Sequence, residues 1–241
     1  MEVGEGNFGG PGTDGIFKAY AIMGKSADCP EENTLLPINE EEEKIINNLT
    51  GKAKCVYDKL NSTNLTELGI IQNTYIAFND ELNHNTYYLT YNLGKLSPNS
   101  DGTIPNGITK FLYQNNYEII LNTNQIDNRP PIDIARTILH ESIHALLLKH
   151  QFGDGQDSFV ELFKKYIKAT TGTNDLHHSI MRDKYVIPIA KGLQAFDNSS
   201  ENFSYYENLA WSGLHQELNE VQLNNVVTAL QKAYAKGIDC N

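Results

Sequence analysis

With 241 residues, 40% of them hydrophobic and 20% charged, the chain fits one large globular domain or two small ones, and collagen-like and wholly disordered classes are excluded. No apolar run approaches the roughly 20 residues needed to cross a bilayer, so no membrane insertion is expected. Nineteen basic against thirty acidic residues give a net charge of −11, which repels a phosphate backbone; no nucleic-acid partner is expected.

Residues 4–15 are glycine-dense and nearly devoid of core formers, too few to offset the entropy of ordering. Residues 1–30 therefore read as a flexible tail or linker, and 31–241 as a single domain. Neither a basic n-region nor an apolar h-region follows Met1, so no signal peptide is visible. A glycine tract ahead of a domain also fits the C-terminal part of a larger, exported protein. Three cysteines, Cys29, Cys55 and Cys240, are too few for a disulfide framework or a cysteine-based zinc site. They leave two alternatives: one bridge, Cys29 to Cys55, with Cys240 free, or three reduced thiols.

From residue 40, Ile45, Ile46, Leu49, Val56, Tyr57 and Leu60 recur at helical intervals, predicting an amphipathic helix interrupted at Gly51, with the acidic run 40–43 in its first turn. Between 74 and 126 the period switches to two. Strands are predicted at 74–78, 86–92, 111–113 and 117–122, separated by turn formers and pairing antiparallel, with the tyrosines packing on the sheet face. A long helix starts after Pro130, with Pro131 in its first turn, and runs to about residue 149. Further helices are predicted at 158–168, at 175–196 with a bend at Pro188, and at 220–235. Helix, strands, then helices without a β–α rhythm define an α+β class: a small antiparallel sheet against one central helix, with a mostly helical C-terminal half.

Inside the long helix stands His140-Glu141-Ser142-Ile143-His144, the pattern H-E-x-x-H. Residues four apart share a helix face, so both imidazoles can reach one Zn2+ while Glu141, one step round, comes beside the open coordination position. A carboxylate there can take the proton of a zinc-activated water and pass it to a leaving amine. Chance placement of seven histidines and seventeen glutamates produces the pattern in roughly one such chain in seventy, so the apolar mid-helix setting carries much of the weight.

Catalytic zinc takes three protein ligands, so a third is sought downstream. His150, His177, His178, His215, Glu161, Glu201 and Glu207 are candidates. The His177-His178 pair is favoured because it opens a separate helix that can cross the first.

The motif together with His178-x-x-Met181, Tyr185 and Tyr205-Tyr206-Glu207-Asn208-Leu209-Ala210-Trp211-x-Gly213-Leu214 is similar to the zincin metallopeptidases of the SprT-like kind, in particular to peptidase domains that close larger proteins in Bacteroidetes-type bacteria. The likeness spans about residues 40–214 and implies a zincin-like fold. It places His178 rather than His177 as third ligand, Met181 beneath the metal, and strand 117–122 as the edge that holds a substrate backbone. The basic surface and Cys-paired zinc ribbon of the DNA-associated members are missing. Asp175, Asp183 and Glu207 are candidates to orient the ligand imidazoles. Tyr185 is the first candidate for oxyanion stabilisation, with Tyr205 and Tyr206 behind it. Trp211 is expected to anchor the C-terminal helices. The expected activity is that of a zinc-dependent endopeptidase acting on protein or peptide substrates; the alternative is a noncatalytic zincin-fold module that binds a protein partner.

Overall fold

The computed structural model describes residues 44–62, 70–78, 87–100, 102–113, 115–152, 180–214 and 218–240. Strand β1 (Ile45–Asn47) stands where a helix was expected. Its paired isoleucines lie beside strand β2 (Tyr88–Gly94), in parallel register from Ile45 opposite Leu89 to Asn47 opposite Tyr91. The ladder gained there outweighs the helical spacing of the apolar residues. The Asn47 side chain then accepts from the Leu49 N–H and ends the strand. Gly51, at φ +54, turns the chain into helix α1 (Gly51–Ser62), whose Ala53, Val56, Tyr57 and Leu60 are buried.

Residues 74–78, expected as a strand, belong to helix α2 (Ile70–Phe78). Ile70, Ile71, Thr74 and Phe78 are buried, a three-to-four spacing that extends the apolar pattern upstream of the segment read as alternating. Thr74 donates its hydroxyl to the Ile70 carbonyl at 2.7 Å, which satisfies a polar group inside the core.

Strands β3 (Gly107–Phe111) and β4 (Asn116–Asn122) complete a sheet of order β1-β2-β4-β3. It is mixed, not antiparallel as expected. Only β3 and β4 run antiparallel, with Thr109 opposite Ile119, while β2 and β4 are parallel from Tyr88 opposite Asn116 to Gly94 opposite Asn122. The connection 95–106 carries the chain past the position of β4 to the far edge, and a tight turn with Asn115 at φ 61 brings it back between its neighbours. Phe111 ends β3 rather than opening a strand at 111–113, and Leu112 and Tyr113 are exposed in the turn. Leu89, Tyr91, Tyr117, Ile119 and Leu121 point to the buried face, with edge-to-face contacts between Tyr57 and Tyr91 and between Phe78 and Tyr117. Tyr87, Tyr91 and Tyr117 pack on the sheet, as their alternation implies, whereas Tyr113 does not.

After the single turn α3 (Thr123–Ile126) comes α4 (Pro131–Phe152), which packs against β3, β4, α1 and α2. From Ile132 to Lys149 every residue except His144 and Leu148 is buried. The helix predicted at 158–168 lies outside the described residues. A π-helical turn (Met181–Tyr185) leads into α5 (Val186–Phe196). The chain is helical without a break from Ile180 through this turn into α5, so Pro188 lies inside a continuous helix, and the π-helical irregularity falls in the turn just ahead of it, around Lys184, whose carbonyl lacks a Pro188 N–H to accept from.

Helix α6 (Phe203–Trp211) is capped by the Asn202 side chain, and α7 (Glu220–Ala235) by an Asn219/Gln222 capping box. Trp211 is half-buried against the core at the end of α6. Cys55 of α1 is bonded to Cys240, not to Cys29, so the bridge closes 185 positions of chain and ties the end of the sequence to α1. Among the described residues no helix is long and apolar enough to cross a membrane.

Candidate active site

Helix α4 buries seven polar or charged side chains: Asp133, Arg136, Thr137, His140, Glu141, Ser142 and Lys149. In a helix enclosed on nearly all sides such groups require partners. Ser142 donates to the Ile138 carbonyl at 2.7 Å, so the Tyr91 hydroxyl, 2.9 Å away, is the donor in their mutual bond and ties β2 to α4. Burial pushes the Tyr91 phenol well above its ordinary pKa and keeps it neutral.

His140 and His144 lie on one face, one turn apart. Their Nε2 atoms are 3.1 Å apart and their ring planes inclined at 73°. At 3.1 Å the two nitrogens are within hydrogen-bond distance of each other, a separation also close to the about 3.3 Å between two nitrogens on one tetrahedral zinc. His144 is the less buried of the two, and with Leu148 one turn on it marks where the enclosure of α4 opens on this face.

Glu141 is 6% exposed. Burial raises its pKa to about 7, opposed by the Thr109 hydrogen bond and by the charge of Arg136. Thr109 on β3 reaches Glu141 Oε2 at 2.7 Å and the Glu141 carbonyl at 3.0 Å. The approach depends on Gly107, where a Cβ would lie 3.0 Å from both Glu141 Cγ and Thr137 Cγ2. Nothing in the spacing of the sequence singled out Thr109 or Gly107, because their role depends on β3 crossing α4.

Two turns toward the N-terminus, Asp133 joins two guanidinium groups. Arg129 Nε donates to Asp133 Oδ2 at 2.7 Å and Arg136 Nε to Asp133 Oδ1 at 3.0 Å. Arg129 Nη2 also reaches the Asp133 carbonyl and Thr137, and Arg136 Nη1 bonds the Ser212 carbonyl at 2.9 Å. Burial works against the Asp133 charge, but Arg136 and Arg129 outweigh it and hold the carboxyl at about 2. Gly213, at φ +101, follows Ser212; a Cβ there would stand 3.2 Å from Arg136 Nη1 and 3.5 Å from His140 Cε1. The end of α6 thus covers His140 and Arg136 together. The sequence hint was Gly213 within the Trp211-x-Gly213-Leu214 stretch, without a reason for it.

Of the expected site residues, His140, Glu141 and His144 come together. His177, His178, Asp175, Glu161 and His215, and the side chains of His150 and Asp183, lie outside the described residues. Glu201 pairs with Lys232 of α7 and with Lys236, the residue that caps its end, and Glu207 is half-buried on α6. Among the described residues no three His, Cys, Asp or Glu side chains converge on a metal-sized space, so neither carboxylate completes a three-ligand set. Met181 is fully buried. Tyr185 ends the π-helical turn, half-buried, and burial raises its pKa. Tyr206 accepts from the Glu201 N–H and donates to Asp197, and Tyr205 packs beneath Lys232 and Lys236. Tyr206 thus ties α6 to the turn that follows α5, and Tyr205 packs α6 against the lysines at the end of α7. Strand β4 is bonded on both sides, so the expected edge pairing at 117–122 has no free edge; β1 and β3 are the outer strands.

Comparison of the chain with models of protein families, with curated proteins and with solved structures gave no match.

Proposed function

We propose that the chain is a zinc-dependent peptidase with a zincin-like arrangement, hydrolysing peptide bonds of protein or peptide substrates. The observation that carries this reading is the 3.1 Å convergence of His140 and His144 beside a buried Glu141. His140 and His144 would hold the metal, with His178 as the third ligand by the likeness to SprT-like enzymes. Bound there, zinc supplies polarisation of a carbonyl and acidification of water. Glu141 takes the proton of the attacking water and returns it to the departing amine, while Thr109 fixes its carboxylate. Tyr185 is proposed to stabilise charge developing on the scissile carbonyl.

The test is zinc quantified per chain together with hydrolysis of denatured casein. Wild type and Glu141→Gln should each hold one zinc per chain, and only wild type should cleave. His140→Ala, His144→Ala and His178→Ala should lose the metal, while His177→Ala keeps it. A wild-type protein that fails to take up added zinc would sink the reading.

A further inference from the structure

A polar cleft of about 370 Å3 opens at the first turns of α4, its lining reaching Arg136 one turn before His140, between the residue ahead of β3, the 124–128 turn, Ser212 and α7. Its lining contains three charged residues, Arg129, Arg136 and Asp133, so two cations face one anion in a chain that is strongly acidic overall. Arg129 is 5% exposed, and its Nε and Nη2 are committed to Asp133 and Thr137. Its Nη1 carries no hydrogen bond among the described residues. A buried guanidinium with donors to spare, in a cleft with one surplus positive charge, is a carboxylate receptor. Asn106, Asn124, Gln125 and Asn128 add amide groups around the same space.

We propose that this cleft is a specificity subsite that takes a carboxylate of the peptide substrate, from an acidic side chain or from the C-terminus. The position fits a subsite rather than a remote pocket. Arg136 belongs to its lining and shares the wall at Gly213 with His140. A bound carboxylate would therefore sit within a short stretch of peptide of the reacting bond. The subsite rests on the peptidase reading above.

Binding is measured in the zinc-loaded Glu141→Gln protein, where cleavage does not interfere, with three blocked pentapeptides: central Glu with an amidated end, central Gln with an amidated end, and central Gln with a free C-terminus. At least one carboxylate peptide should bind ten-fold or more tightly than the neutral one, and which of them does so identifies the source of the carboxylate. Gln125→Glu and Asn128→Asp, at half-buried and exposed positions, should each erase most of that preference without shifting the urea midpoint. Equal binding of all three peptides, no binding, or a preference untouched by both variants would overturn the subsite. Wild type that cleaves peptides without regard to carboxylates overturns the subsite alone. A carboxylate preference without wild-type cleavage overturns the peptidase reading and leaves the receptor standing.

Discussion

Thr109 touches Glu141 twice, through its carboxylate at 2.7 Å and its own main-chain carbonyl at 3.0 Å, so one hydroxyl on an outer strand fixes both ends of one residue of the central helix. Replacing it by valine keeps the β-branched shape and removes the donor. The Thr109→Val protein should retain its zinc and its KM while kcat falls about ten-fold, the equivalent of one hydrogen bond to a charged group. Thr109→Ser should restore most of the rate. Equal loss in both variants would mean that β3 packing, not the hydroxyl, matters.

Gly213 lies against both His140 and Arg136, and its φ of +101 is one that side chains rarely adopt. Gly213→Ala adds a contact at 3.2 Å to that strain. Gly237, at φ +105 with nothing within 4 Å of a would-be Cβ, isolates the strain alone. Urea unfolding should show about 1–3 kcal/mol lost for Gly213→Ala and a smaller loss for Gly237→Ala. Identical losses would remove the contact from the explanation.

The histidine pair and its glutamate were legible because H-E-x-x-H is a local pattern on one helix, and helix geometry alone brings the two rings together. The supports of that site were not. Thr109, Gly107, Arg136 and Gly213 act across elements distant in sequence, and only the crossing of β3 over α4 and the return of α6 give them neighbours. The same limit explains the sheet. Alternation at 86–92 and 117–122 marks strands, but direction depends on where the 95–106 connection travels, which no residue spacing encodes. At 74–78 a five-residue window could not separate period two from the helical face that Ile70 and Ile71 complete.

The Asp133 cluster predicts acid sensitivity. Its carboxyl, held at about 2 in the fold against an ordinary value near 4, binds fewer protons folded than unfolded. Stability from this group is therefore complete above about pH 4 and is lost as pH falls toward 2, by roughly 2 kcal/mol in all. Urea midpoints across that window should show the fall. Asp133→Asn should abolish this component and lower stability at neutral pH by about 3–5 kcal/mol, because two buried guanidinium groups lose their counter-charge. A midpoint for Asp133→Asn equal to wild type at neutral pH would contradict the cluster.

The Cys55–Cys240 bridge joins α1 to the end of the chain across 185 positions, and a loop of that length restricts the unfolded chain strongly. The chain-entropy relation gives about 5 kcal/mol for such a closure, and native disulfides deliver roughly 2–5. Reduction, or Cys240→Ser, should lower the melting temperature by about 5–15 °C for a domain of this size. Cys29→Ser should leave it unchanged, which separates this pairing from the Cys29–Cys55 alternative. A peptide map of the non-reduced protein linking the Cys55 and Cys240 fragments is the direct readout, and a Cys29–Cys55 link would refute the pairing.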